Sequence, residues 1–447
     1  MAAPEHRKDG AAGRGAARRR GPGSAVCLAL VSIGVVAATA AGQWWEKPEP
    51  GPEPVYPDVT TTPAALIGAA AGGVRVLDAR PADAYEAGHI PGAVSAPAAS
   101  LPALDDAGAF LGSLGLEGDE RVVCVGADPD LADASLLFWF LEASGAEGVS
   151  VLSGGIPAWT AAGGRLESRA DRPRRAEWTR PSAQDRTASR EHVAAVYGEK
   201  GHELVDVRGW DTWEGRPQEP GVAPAVRTGH IPHALPYDFA EFLSSDGTLR
   251  SAEDTRATFS RLGPRPSNPV NLEDEFVVYG EGPEDAALGY FLLRRAGVAR
   301  VRLYPGGFGE WSAVPDLPIT RVIHAEEVLA RLNREPRLLV PDAPPRAFVL
   351  LDVRHDRDYE VMGHVPGAVN LSSHLFADSL DVTLARHWPG IDRATTPIVC
   401  YCYGPSCIRS RNCSTMAARA GFVNTERFYG GIEEWNGVGA PVVKALP

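Results

Sequence analysis

The sequence predicts an α/β fold: three tandem domains, each a small central parallel sheet flanked by helices, after an N-terminal signal or anchor segment. Three observations carry this. The chain has 447 residues, and at roughly 100–200 residues per domain that length implies several cores. A pattern of strand, turn, strand, loop, helix and Gly-Gly turn recurs three times in the same order, which marks tandem units. Within each copy β-type runs alternate with helical patterns, the layout of a parallel sheet with crossover helices.

Composition fits a globular chain, with 44% hydrophobic and 23% charged residues. A net charge of -13 argues against a nucleic-acid partner, which would need a basic face. The 38 prolines and 48 glycines point to loops and linkers between compact units.

Residues 1–57 stand apart. Arg7, Lys8, Arg14, Arg18, Arg19 and Arg20 face only Glu5 and Asp9, and residues 25–42 carry no charge. Basic-then-apolar order is that of an export segment. The uncharged stretch is long enough to span a bilayer, and Trp44 and Trp45 follow where an interfacial pair would sit. The segment reads as an uncleaved single transmembrane anchor, with a signal cleaved near Ala38-Thr39-Ala40 as the alternative. Either reading exports the rest of the chain to a periplasmic or other extracytoplasmic space, held to the membrane through this segment. A Pro/Gly-rich tether closes it.

Three units follow, over 58–166, 185–318 and 319–447. Each begins with a strand ending in Asp-x-Arg: Asp78 and Arg80, Asp206 and Arg208, Asp352 and Arg354. A Gly-His segment comes next, at Gly88-His89-Ile90-Pro91-Gly92, Gly229-His230-Ile231-Pro232-His233 and Gly363-His364-Val365-Pro366-Gly367. A second apolar strand, a loop and a helix follow. Each copy closes on Gly-Gly before a tryptophan: Trp159, Trp311 and Trp435. Ligands of parallel sheets sit at the carboxyl ends of strands, so the second strand-loop-helix is the expected site. Features common to all copies, such as Asp352, Arg354, His364 and Trp435, are expected to be structural: ion pair, turn and core aromatic. An insertion over 215–227 in the second unit reads as a surface loop.

Four of the six cysteines lie in one short stretch, Cys400, Cys402, Cys407 and Cys413. That clustering points to local chemistry more than to a disulfide scaffold. A thiol at a strand end, ahead of a helix start, meets the helix dipole and unpaired N–H groups, which favour a thiolate. Cys400 is expected to face away from Cys402 as a small buried hydrophobe, and Cys413 to be core. No metal site is expected, because no Cys-x-x-Cys pair is present.

These residues resemble the rhodanese family of sulfurtransferases. The Asp-x-Arg strand end, the Gly-His-Ile/Val-Pro segment, the Cys-loop-Arg-Ser-helix and the Gly-Gly-x-x-x-Trp ending match in order, three times between Val59 and Pro447. The resemblance implies a loop cysteine that carries sulfur as a persulfide and no organic cofactor. It places Cys402 as nucleophile and Arg409 with Ser410 at the family's Arg-Ser. The N–H groups of Tyr403, Gly404, Ser406, Cys407 and Ile408, around Pro405, are then the expected cradle. The six residues between Cys402 and Arg409 make a longer loop than the family's usual one, and Cys407 within it is a candidate second thiol. The second unit has Gly280 at the cysteine position, with Glu281, Glu284 and Asp285 beside it, and is expected to be inactive. The first has Cys124 inside its strand and an acidic loop with Asp128 and Asp130, and is expected to be inactive too. The implied activity is transfer of sulfane sulfur from thiosulfate or a similar donor, or a protein persulfide, to a thiophilic acceptor. A thiol-disulfide relay through Cys402 and Cys407, or a non-enzymatic scaffold with a protein partner on the first two units, stays open. A phosphatase is disfavoured, because Tyr401 stands where that loop type wants histidine.

Overall fold

A computed structural model describes residues 59–69, 73–101, 103–127, 131–169, 173–216, 227–244, 248–261, 270–334 and 344–444. The expected anchor over 25–42, the acidic pair Asp128 and Asp130 and most of the 215–227 insertion lie outside them. Export and membrane attachment are corrected here: among the described residues no helix is long and apolar enough to cross a membrane, so the fold gives an anchor no support.

Three parallel sheets follow one another. The first comprises β1 (Thr60–Thr61), β2 (Val74–Asp78), β3 (Val94–Ser95), β4 (Arg121–Val125) and β5 (Val149–Leu152), ordered β1-β5-β4-β2-β3. The second comprises β6 (His202–Asp206), β7 (Leu235–Pro236), β8 (Glu275–Tyr279) and β9 (Val301–Leu303), ordered β7-β6-β8-β9. The third comprises β10 (Ile319–Ile323), β11 (Val349–Asp352), β12 (Val369–Asn370), β13 (Ile398–Tyr401) and β14 (Asn424–Phe428), ordered β10-β14-β13-β11-β12.

The repeated motifs have one physical explanation each. In every copy the Asp-x-Arg arginine pairs with its own aspartate and donates to the carbonyl before the histidine. Arg80 reaches Gly88 at 2.8 Å, Arg208 reaches Gly229 at 2.6 Å and Arg354 reaches Gly363 at 2.7 Å. The strand end and the Gly-His turn are thus held together by charge-assisted bonds. The histidine ring stacks on an aromatic of the intervening helix: Tyr85, Trp213 or Tyr359. The tryptophan after each Gly-Gly donates Nε1 to the backbone leaving the unit, at Arg165, Pro318 and Pro441. It therefore closes each unit as well as filling its core.

In the third sheet, alternation sorts the core into two layers. Leu351, Ile398, Cys400 and Cys402 lie on one face with Phe376, Leu380 and Trp388. Val399, Tyr401 and Phe428 lie on the other with Ile323, Val328 and Trp435. The first two units share a continuous core across the Ala132–Ala143 and Pro283–Arg295 helices, where Phe138 meets Phe291 edge-on at 5.4 Å. At the junction of the second and third units, His230 and Thr320 exchange backbone hydrogen bonds of 2.9 and 3.0 Å. The segment leaving the second unit is therefore also β10, an edge strand of the third sheet.

Candidate active site

The Ile398–Tyr401 strand ends at Cys402, and the chain turns through Gly404–Cys407 into the Ile408–Arg419 helix. Two neighbours fix the turn. Ile432 N–H donates to Cys402 O at 3.0 Å and Glu433 N–H donates to Tyr403 O at 2.9 Å. Gly431, at φ 55°, must be glycine there: a Cβ would stand 2.4 Å from Cys402 O.

The loop encloses two thiols. Cys402 is 1% exposed and Cys407 is 4% exposed, and neither is in a disulfide. Cys402 Sγ lies 3.4 Å from both Cys407 O and Ser410 Oγ. The two thiols hydrogen-bond to each other, and together with burial this sets their charge. Hydrogen bonding from Cys402 lowers Cys407 to about 5, helped by the N–H groups of Arg409 and Tyr403 and by the Arg409 charge. Burial pushes Cys402 up, and the Cys407 charge beside it adds to this. The two sulfurs thus titrate as a coupled pair, in which one negative charge is favoured over none. Cys407's own N–H is taken by Gly404 O at 3.0 Å, and the N–H groups of Tyr403, Arg409 and Ser410 face the sulfurs.

Arg409 stands at the mouth. Its Nη2 is 2.9 Å from His355 Nε2 and its guanidinium lies 5.6 Å over the Tyr403 ring. Tyr403 OH donates to Asp358. Behind the thiols lies Arg427 on β14, which the sequence reading passed over. It is 6% exposed. Its Nε donates to Ser410 Oγ at 3.1 Å, and Nη2 lies 3.4 Å from the carbonyls of Pro405 and Cys407. Asp352 and Arg354 form their ion pair at 2.6 Å with both side chains buried. His364 stacks on Tyr359, and Trp435 packs in the layer of Tyr401 and Phe428.

Cys400 departs from expectation. Residues i and i+2 of a strand share a face, so Cys400 points to the Cys402 side. There it forms a disulfide with Cys413 of the Ile408–Arg419 helix, across a Cα separation of 6.1 Å. Both arms of the cysteine loop are thereby stapled just below it. In the second unit, Glu281 at the corresponding turn is held by Arg208 at 3.0 Å. In the first, Cys124 is fully buried and burial pushes its thiol up.

Fold and site together define a tandem α/β protein with a thiol-bearing strand-to-helix loop in its last unit. The chain belongs to the rhodanese-like domain family, whose model matches residues 63–162, 189–314 and 325–437. It is similar to the sulfur carrier protein TtuD of Thermus thermophilus, 29% identical over 259 residues, covering 53% of this chain and 87% of that protein. The 3-mercaptopyruvate sulfurtransferase of Escherichia coli K12 is 28% identical over 256 residues, covering 55% and 88%. The thiosulfate sulfurtransferase of Azotobacter vinelandii is 26% identical over 263 residues, covering 55% and 90%. Among solved structures, a variant of EanB in complex with ergothioneine shares the fold, with a TM-score of 0.52 and 20% identity over 58% of this chain and 69% of that one.

Proposed function

We propose that the third unit transfers sulfane sulfur through a persulfide on Cys402, with the Cys407 thiolate as the base that accepts the Cys402 proton. The hydrogen-bonded thiol pair inside the loop carries this reading. A nucleophile is activated by a neighbouring group that takes its proton. With thiosulfate, Cys402 Sγ attacks the outer sulfur, the S–S bond breaks and sulfite leaves. The Cys402 proton moves to Cys407, giving Cys402–S–S⁻ and Cys407–SH. A thiophilic acceptor such as cyanide then takes the terminal sulfur, and the proton returns to Cys402. Arg409 at the mouth and Arg427 behind the loop suit an anionic donor. The names of the relatives, thiosulfate and 3-mercaptopyruvate sulfurtransferases, support this donor class.

The same pair favours a second outcome when no acceptor is present. Cys407–SH attacks Cys402 Sγ, a Cys402–Cys407 disulfide forms, and the outer sulfur leaves as hydrosulfide. The test uses the full-length protein with thiosulfate and then cyanide. Thiocyanate is expected from wild type, none from Cys402→Ser, and slowed turnover with a stable persulfide (one added sulfur by intact mass) from Cys407→Ser. Activity that survives Cys402→Ser but not Cys407→Ser would make Cys407 the carrier. No added sulfur with thiosulfate or 3-mercaptopyruvate would turn the reading toward a binding scaffold.

A further inference from the structure

The second unit has no loop cysteine, yet it grips the helix that carries the third unit's loop. The grip centres on an unusual residue. Where the first and third copies have Gly92 and Gly367 at φ 78° and 81°, the second has His233 at φ 71°, the one non-glycine residue with positive φ among the described residues. A side chain is disfavoured in that conformation, and such outliers persist where their surroundings over-determine them. Here the surroundings are the Ile408–Arg419 helix. His233 O accepts from Arg411, and the His233 ring Nδ1 is 3.2 Å from Thr415 Oγ1.

Arg411 is 5% exposed and also donates to Glu203 Oε2 at 3.2 Å. Two turns on, Arg419 Nε donates to Tyr197 O at 3.0 Å. All these partners belong to the second unit. Arg411 directly follows Ser410, whose Oγ touches both Cys402 Sγ and Arg427 Nε. On the other side of the loop, Trp210 of the second unit meets Tyr429 edge-on at 5.8 Å, and Tyr429 lies 4.7 Å beneath the Arg427 guanidinium. Both supports of the thiol pair therefore rest on the second unit. Continuous packed contacts of this kind can transmit position from one unit to another.

We propose that the second unit is the positioning platform of the third unit's cysteine loop, acting through Arg411 anchored on Glu203 and His233. Arg411 is a positioning residue, since it touches neither thiol. The proposal rests on the reading of Cys402 and Cys407 as the reactive pair. Its readout, however, is the pH dependence of thiol alkylation, which does not require sulfur transfer.

In full-length protein, the alkylation of Cys402 and Cys407 by iodoacetamide is followed by mass against pH. Arg411→Lys keeps the charge and loses the planar fork. It is expected to move the midpoint upward by about one unit or more and to lower kcat for sulfur transfer with KM unchanged. His233→Gly keeps the carbonyl that Arg411 needs, loses the ring and its Thr415 contact, and is expected to give a smaller upward shift. Should Arg411→Lys fail to fold, Glu203→Gln removes the anchor of Arg411; loss of a carboxylate alone lowers a thiol's pKa, so the upward shift expected here reports the displaced loop. A wild-type alkylation profile in whichever of these two variants is folded overturns the platform. Absence of sulfur transfer in wild type overturns the functional reading instead, and the alkylation profiles still decide this one.

Discussion

Arg427 carries a charge where burial penalises it, and burial is the main influence lowering its pKa. A guanidinium does not deprotonate in a protein, so it needs compensation. Its hydrogen-bond partners are neutral, the Ser410 hydroxyl and two carbonyls. The charges it senses include the Cys402 and Cys407 sulfurs. It is therefore matched to a negative charge on those sulfurs. The corresponding prediction is that Arg427→Met raises the alkylation midpoint of the pair by about 1–3 units. The sign follows from removing a cation that favours the charged form. In wild type, reactivity falls as pH drops through that midpoint; in the variant the fall begins at higher pH. A profile unmoved by Arg427→Met would leave the arginine a purely structural role. The residue was legible in the sequence by one comparison. Four places before the second glycine of each Gly-Gly stand Val151, Leu303 and Arg427, and a charge replacing two core hydrophobes is a signal. Cys402, Arg409 and Ser410 were singled out by the family resemblance, with the strand end and helix start beside it. The thiol-thiolate pairing could not, because it depends on how a loop of six residues folds back on itself.

The strand-loop-helix element is held from three sides: the Cys400–Cys413 staple below, the Gly430–Gly431 turn beside it, and the second unit behind. The turn is the most exacting. A Cβ at Gly431 meets Cys402 O at 2.4 Å while the backbone sits at φ 55°. Gly431→Ala is thus expected to lose about 1–2 kcal/mol from the backbone conformation alone, and more from the clash. Because the obstructing atom is the Cys402 carbonyl, sulfur transfer should drop more than stability does. Thermal unfolding and thiocyanate formation measured on the same sample check this, and an active, less stable Gly431→Ala would refute it. The element itself could be read from sequence because three copies share its punctuation. The staple was missed through the strand period: Cys400 and Cys402, two apart, share a face, and the helix brings Cys413 to that face. Recurrence marked the ion pair and the core tryptophan, but not the further bonds that the arginine and the tryptophan donate. Their partners are backbone carbonyls, and a carbonyl leaves no mark in the sequence.

At the scale of the molecule, three copies of one fold have diverged in what surrounds the loop, and a nucleophile alone does not define the site. The second unit is the clearest case. Its loop begins at Gly280, and Leu303 occupies the place of Arg427. Arg208 is neutralised by Asp206 at 2.7 Å and Glu281 at 3.0 Å, and Glu284 and Asp285 line the same cleft. A thiol introduced there would face carboxylates and no uncompensated cation, which raises its pKa and disfavours an anionic donor. There is also little room: a Cβ at Gly280 would stand 2.5 Å from Asp285 Cβ. Full-length protein carrying both Cys402→Ser and Gly280→Cys should therefore form no thiocyanate and gain no sulfur at residue 280. The introduced thiol should alkylate more slowly at neutral pH than the native pair. Restored turnover would mean that the fold plus any loop cysteine suffices, and that Arg427 and the thiol pair are dispensable. The expected silence instead fits a division of labour in which one unit keeps the buried cation and the paired thiols. Its neighbour keeps the surface that holds them, down to the edge strand β10 that leaves the second unit and enters the third sheet.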